Sequence, residues 1–333
     1  MINNSNFEGF PYIRSRRLRN SNWIRNITAE TEISKNDLVQ PIFIKSEGND
    51  DFIRKMPGIK RYTPKGLKPE IESLIKLGVK AIAIFPQISQ RLKTHDALEA
   101  VNPNNLVCNI LRFLRKEFPE LGVICDVALD PYTLSGHDGL LNKSGKIDND
   151  RTIKLLSKMA INFASAGCEM IAPSDMMDGR VKIIRKDLEK NNFHNVSILA
   201  YSAKFCSNFY GPFRSAIGNE ENLGNSSKES YQLNYKNRLE AMKDAELDIF
   251  EGADILMIKP AGYYLDIIRE ISNYTYLPIS AYQVSGEYSM IKLASENNIF
   301  DYEKIVLESL NCIKRAGANI IFSYFTKDVS RWI

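Results

Sequence analysis

Two lysines carry the chemistry that this sequence offers. Lys259 closes the run Asp254-Ile255-Leu256-Met257-Ile258-Lys259-Pro260, in which four apolar residues stand between an acid and an amine. The run is too short for a secure helix, and Pro260 has no N–H to give a ladder or a helix interior. It reads as a buried strand with Lys259 at its end, half inside an apolar wall. Burial disfavours an ammonium, so a lysine there can present the neutral, nucleophilic amine that a Schiff base with a ketone requires. The plainer alternative is a lysine snorkelling from a strand end.

Lys204, in Tyr201-Ser202-Ala203-Lys204-Phe205, follows the neighbouring apolar run. Two amines at adjacent strand ends cannot both be held charged at little cost, so at least one pKa should fall. Arg214, in Tyr210-Gly211-Pro212-Phe213-Arg214, and Lys228 add cations able to hold carboxylates. Together they point to a small keto acid, or two of them, as substrate. For Lys228 taken alone, a solvated loop charge is the plainer reading.

The elements that must position these groups repeat along the chain. Short apolar, β-branched runs occupy residues 38–44, 79–85, 122–129, 168–173, 196–201, 254–259, 277–282 and 319–325. Stretches of 3.6-residue periodicity lie between them at 65–77, 105–118, 150–166, 234–251, 263–272 and 302–316, and Gly78, Gly167, Gly252 and Gly317 are placed as C-caps leading into the next strand. Eight strands alternating with helices predict an α/β fold, a (β/α)8 TIM barrel over residues 36–333. A doubly wound open sheet is the alternative, but no G-x-G-x-x-G follows the first strand.

In such a barrel the chemistry belongs at the C-terminal ends of the strands. Those ends carry Asp126 and Asp130 followed by Gly136-His137-Asp138-Gly139, then Ser174 and Asp175, Ser202 and Lys204, Lys259, Ser285, and Ser323 and Tyr324. The polar, aperiodic stretch 215–233 would lie over this mouth as a lid. Residues 1–35 differ from the rest, with five arginines interleaved among Phe10, Tyr12, Leu18, Trp23 and Ile24. They read as an N-terminal arm for oligomerisation rather than for nucleic acid.

With 44% hydrophobic and 25% charged residues the chain has an ordinary globular composition, and a net charge of +4 over 333 residues is too small to argue for nucleic acid. No membrane span or secretory segment is expected, and the location expected is cytoplasmic. Five scattered cysteines without a C-x-x-C pair suit a reducing compartment and give no structural zinc site.

Four long motifs, Met257-Ile258-Lys259-Pro260 with Tyr264-Leu265-Asp266, Tyr201-Ser202-Ala203-Lys204-Phe205 with Phe209-Tyr210-Gly211-Pro212-Phe213-Arg214, Ser174-Asp175-Met176-Met177-Asp178-Gly179-Arg180, and Gln283-Val284-Ser285-Gly286-Glu287-Tyr288, are similar to those of 5-aminolevulinate dehydratase, also called porphobilinogen synthase. The resemblance runs from about Arg14 to the C-terminus. It implies a lyase of haem and porphyrin biosynthesis that condenses two 5-aminolevulinate molecules to porphobilinogen with loss of two waters, through Schiff bases on Lys259 for the propionate side and Lys204 for the acetate side. By the same resemblance Asp126, Asp130 and Asp138 place the substrate amine and move protons. Ser285 and Tyr324 would hold one substrate carboxylate, Arg214 and Lys228 the other, with Gln232 and Ser174 as further contacts. The family commonly has Arg at the position of Lys228.

Zinc-dependent members carry three cysteines where this chain has Ala128, Asp130 and Asp138. Thiolates select zinc and carboxylates prefer harder ions, so no catalytic zinc is expected. The resemblance implies an activating Mg2+ at a remote site, where the expected glutamate is replaced by Asp244; an exposed helix residue is the plainer reading of Asp244. It also implies a homo-octamer built of dimers that embrace through their arms. A class I aldolase and a catalytically inert barrel serving assembly are the rival readings.

Overall fold

The computed structural model describes residues 9–218 and 227–333. The chain divides into two compact units, Met1–Glu32 and Ile33–Ile333. In the described part of the first, a 3-10 turn Ser15–Arg19 and a short helix Asn22–Ile27 bury no side chain. Phe10 and Trp23 are exposed, and the Arg14 guanidinium lies over the Phe10 ring at 4.3 Å.

The second unit is a closed barrel. Its parallel strands are β1 (Leu38–Lys45), β4 (Ala81–Gln87), β5 (Gly122–Val127), β6 (Met170–Pro173), β7 (Ser197–Lys204), β8 (Ile255–Lys259), β9 (Ile279–Gln283) and β10 (Ile320–Ser323), each paired with the next. Pairing of Leu38 with Ile321 and of Val39 with Phe322 closes the ring. These are the eight apolar runs of the sequence. They are apolar throughout because a barrel strand is covered on both faces, by the interior side chains and by the helices outside. A small hairpin, β2 (Asp51–Phe52) and β3 (Lys60–Tyr62), adds to the edge of β1; strands of two and three residues are too short to leave a period in the sequence.

Helix boundaries follow ordinary signals. Thr63 caps the helix Pro64–Lys76 by accepting the Gly66 N–H, Pro64 sits in its first turn, and Leu67, Ile71 and Leu74 form the buried stripe. Asn105 caps Leu106–Glu117 in the same way, a contact of the kind whose loss costs about 1 kcal/mol. Gly317 ends Tyr302–Ala316 with φ 126°, and a Cβ there would stand 2.3 Å from Ser272 Oγ, so both conformation and space require glycine. Helices Arg180–Lys190 and Ser285–Glu296 were not expected from periodicity, and the helix expected over 234–251 begins only at Arg238.

Candidate active site

Lys204 and Lys259 end β7 and β8 and are direct partners in the parallel register. Parallel neighbours point their side chains the same way, so both amines enter the same end of the barrel. Lys259 is 5% exposed. Aromatic rings line its amine, with the centroids of Tyr282 at 4.4 Å, Phe213 at 5.1 Å, Tyr201 at 5.2 Å and Tyr210 at 5.4 Å. Burial, and then the charge of Lys204, bring the Lys259 pKa down to about 7. This is the depressed amine expected from the apolar run before Pro260, and it is not a snorkelling side chain.

Lys204 is held differently. Its Nζ donates to the Ser174 carbonyl and lies 3.3 Å from Asp138 Oδ1. Asp138 is 1% exposed. Burial alone would raise its pKa, but the ammonium groups of Lys204 and Lys228 win and hold it well below the usual carboxylate range. Asp126, at the end of β5, behaves in the opposite way. Burial lifts it to about 6 against the pull of Lys204 and Lys259, and among the described residues its Oδ1 has no hydrogen-bond partner. Burial also raises Asp130. One carboxylate is therefore kept ionised and another is poised near neutrality, the separation that assigns electrostatic and proton-transfer roles.

Lys228 is buried, with Nζ 2.8 Å from Asp138 Oδ2 and 3.4 Å from Asp130 Oδ2. The reading of it as a solvated loop charge is thus corrected: an ammonium between two buried carboxylates is drawn inward. Of the loop 215–233, residues 219–226 lie outside the described residues. Beyond them Tyr231 OH accepts the Asp138 N–H at 3.2 Å and stands 3.1 Å from His137 Nδ1, and Gln232 is buried, its Oε1 without a partner among the described residues. Asp126, Asp130, Asp138, Ser174, Lys204, Arg214, Lys228, Gln232 and Lys259 line one cavity of about 30 Å3, room for about one water.

Ser285 and Tyr324 are not in that lining. Ser285 Oγ accepts the Phe213 N–H at 2.9 Å, and Tyr324 OH is 3.0 Å from Tyr282 OH, behind the ring nearest Lys259. Of the residues that hold the site from outside, Arg180 and Asp175 stand in the motifs without a task, and Asp248 stands in none of them. Arg180 makes a two-point pair with Asp248 at 2.9 and 3.2 Å and donates to the Tyr201 carbonyl at 3.0 Å, which fixes the strand before Lys204. Asp175, next to Ser174, stands 3.7 Å from Arg180 Nε and is raised by burial to about 7.

Asp244, on the helix Arg238–Glu251, is half-buried and not fully exposed; burial, opposed by Arg180, lifts its pKa to about 6. Among the described residues no group of three or more His, Cys, Asp or Glu is arranged to hold a metal ion. One carboxylate without a cage is what a Mg2+ that keeps most of its waters would use. Between Asp130 and Asp138 the place of a cation is taken by Lys228.

The profile of one family, delta-aminolevulinic acid dehydratase, matches residues 12–332. The delta-aminolevulinic acid dehydratase of Methanothermus sociabilis is 47% identical over 96% of this chain and 98% of its own, and that of Bradyrhizobium diazoefficiens 46% identical over 94% and 88%. A chloroplastic relative from Oryza sativa is 46% identical over 97% of this chain and 77% of its own. The crystal structure of the Toxoplasma gondii enzyme in complex with its product porphobilinogen superposes with a TM-score of 0.94 at 41% identity, covering 96% of this chain and 91% of that one. The chain belongs to the delta-aminolevulinic acid dehydratase family.

Proposed function

We propose that this enzyme, a lyase of porphyrin and haem biosynthesis, condenses two 5-aminolevulinate molecules to porphobilinogen through iminium links on both Lys259 and Lys204. The observation that carries this is the register pair Lys204–Lys259, with Asp126 and Asp138 facing the two amines. Each ketone loses one water on meeting an amine, which accounts for the two waters lost. An iminium is a better electron sink than a ketone. The Lys204-linked substrate gives up a proton beside its iminium carbon, and the resulting enamine carbon attacks the iminium carbon on Lys259. Expulsion of the Lys259 amine, attack of the free substrate amine on the iminium carbon at Lys204, and expulsion of that lysine close the ring; loss of a further proton gives the pyrrole.

Asp126 is suited to the proton transfers, since its pKa near 6 leaves it mostly basic at neutral pH. Asp138, held ionised, steadies the cations around Lys204. Arg214 and Lys228 supply charge for a substrate carboxylate, with Gln232 and Ser174 beside them, and Ser285 and Tyr324 take the other carboxylate. A cavity of about 30 Å3 is far smaller than two 5-aminolevulinate molecules, so the side chains that line it must move apart as substrate enters. Where Mg2+ is bound, Asp244 would hold it, and the ion would supply a fixed positive charge beside the Arg180 network.

The exposed arginine-aromatic surface of the arm supports its use as a subunit contact, and we assign the assembly as an octamer of embracing dimers. Among the described residues no helix is long and apolar enough to cross a membrane. Five free cysteines suit a reducing compartment and are the basis for proposing the cytoplasm, although the rice relative is named as chloroplastic. The deciding experiment is borohydride reduction in the presence of 5-aminolevulinate, followed by peptide mapping and a colorimetric assay for a pyrrole. Labels on both Lys204 and Lys259 are expected; pyrrole formation with either lysine left unlabelled would sink the two-imine reading.

A further inference from the structure

Glu287 is 4% exposed, and among the described residues no cation pairs with it. Its two oxygens go to two different segments. Oε2 accepts the Val284 N–H at 2.7 Å, which caps the helix Ser285–Glu296, while Oε1 accepts the Gly262 N–H at 2.6 Å. Gly262 is three residues beyond Lys259, in the turn that leaves β8.

A helix cap needs only one of those oxygens. A buried carboxylate without a cation is costly, and a neutral glutamine would serve the cap alone. What needs both acceptors is the junction between the turn after Lys259 and the helix start that carries Ser285. The fit is close on both sides. A Cβ on Gly262 would stand 2.6 Å from Glu287 Oε1, and one on Gly286 would stand 2.5 Å from the Phe209 carbonyl oxygen. The same helix start receives the Phe213 N–H on Ser285 Oγ, one residue before Arg214. From the opposite side, the Lys259 carbonyl accepts the Phe205 N–H at 2.9 Å and the Tyr210 OH at 3.1 Å.

We propose that Glu287 is a positioning residue for the Lys259 imine: by tying the Gly262 turn to the Ser285 helix start, it fixes the reacting amine relative to the group that receives that substrate's carboxylate. The inference rests on the two-imine reading and concerns only the Lys259 half of the site. The Lys204 side chain is anchored through Ser174 and Asp138, and among the described residues it makes no bond to this junction.

The test is Glu287→Gln, which puts an amide NH2 against one of the two N–H groups, and Gly262→Ala, which presses on the same contact from the other side and leaves the carboxylate in place. Each variant is reduced with borohydride in the presence of 5-aminolevulinate, the labelled peptides are counted, and kcat, KM and Tm are measured. Both variants should lose about tenfold or more in kcat, as expected for a reactant displaced by less than an ångström. The Lys259 label should fall with it, while the Lys204 label persists and Tm shifts little. Wild-type kcat and labelling in both variants would overturn the proposal, as would parallel loss of both labels with a collapsed Tm, which marks a merely structural role. Absence of a Lys259 label in the parent enzyme would overturn the two-imine reading and this inference with it.

Discussion

Lys228 Nζ lies 2.8 Å from Asp138 Oδ2, with both side chains buried. Removing the amine takes from two buried carboxylates, Asp138 and Asp130, the ammonium they share, and leaves Asp138 with Lys204 at 3.3 Å. Lys228→Ala should cost about 3 kcal/mol or more, the penalty for breaking a buried pair, and should raise KM for 5-aminolevulinate. Lys228→Arg keeps the charge and is expected to retain most of the activity. Thermal melts and steady-state kinetics on the two variants would decide it; an alanine variant with unchanged Tm and KM would contradict the buried placement.

The two titrations at the mouth set an acid limb. Lys259, lowered to about 7, is reactive as the free amine, and that form is lost as pH falls through 7. Asp126, raised to about 6, acts as a base only when ionised, and that form is lost as pH falls through 6. Asp138 stays ionised over this range and adds no step. Initial rates should therefore fall about tenfold per unit just below pH 7 and about a hundredfold per unit below pH 6. Asp126→Asn should lose most of its rate and show the upper step only. A flat profile between pH 5 and 8 would rule out both assignments.

The support behind Lys204 is the Arg180–Asp248 pair, which spans from the first residue of the helix Arg180–Lys190 to the helix Arg238–Glu251. Asp248→Asn removes the carboxylate that pairs with the guanidinium at two points and leaves Asp175, 3.7 Å from Arg180 Nε, as the next nearest. A destabilisation of about 3–5 kcal/mol is expected in denaturant titration, and a loss under about 1 kcal/mol would show that Asp175 suffices.

Much of this site was legible because strand ends are legible. Lys259 sits after four apolar residues and before a proline, and Lys204 after a run of the same kind, so a closed barrel puts them side by side. The resemblance of the motifs then implies a separate task for each. Charges held by distant partners were not legible: Arg180 meets Asp248 across 68 residues, and Glu287 meets Gly262 across 25. Lys228 was misread for the same reason, since nothing near it in the chain announces Asp130 and Asp138. The helix Arg180–Lys190 does carry a period, in Val181, Ile184 and Leu188, which its charged neighbours obscure. The helix Ser285–Glu296 buries Ser285, Glu287 and Ser289 where an apolar stripe would be looked for.

Metal dependence follows from which carboxylates are free to take an ion. Asp130 and Asp138 already share the Lys228 ammonium, whereas Asp244 has a nearby cation, Arg180, but among the described residues no bond that fills its oxygens. Exhaustive chelation should therefore lower activity without abolishing it, and Mg2+ should restore it with an apparent affinity on the order of millimolar, as for oxygen sites with few protein ligands. A metal-binding carboxylate must be ionised, and burial raises that of Asp244 to about 6, so the stimulation should fade as pH drops through 6. Asp244→Asn should remove the response to Mg2+. Rescue by Zn2+ alone would contradict this reading, because it would require the ion to displace Lys228 from between Asp130 and Asp138.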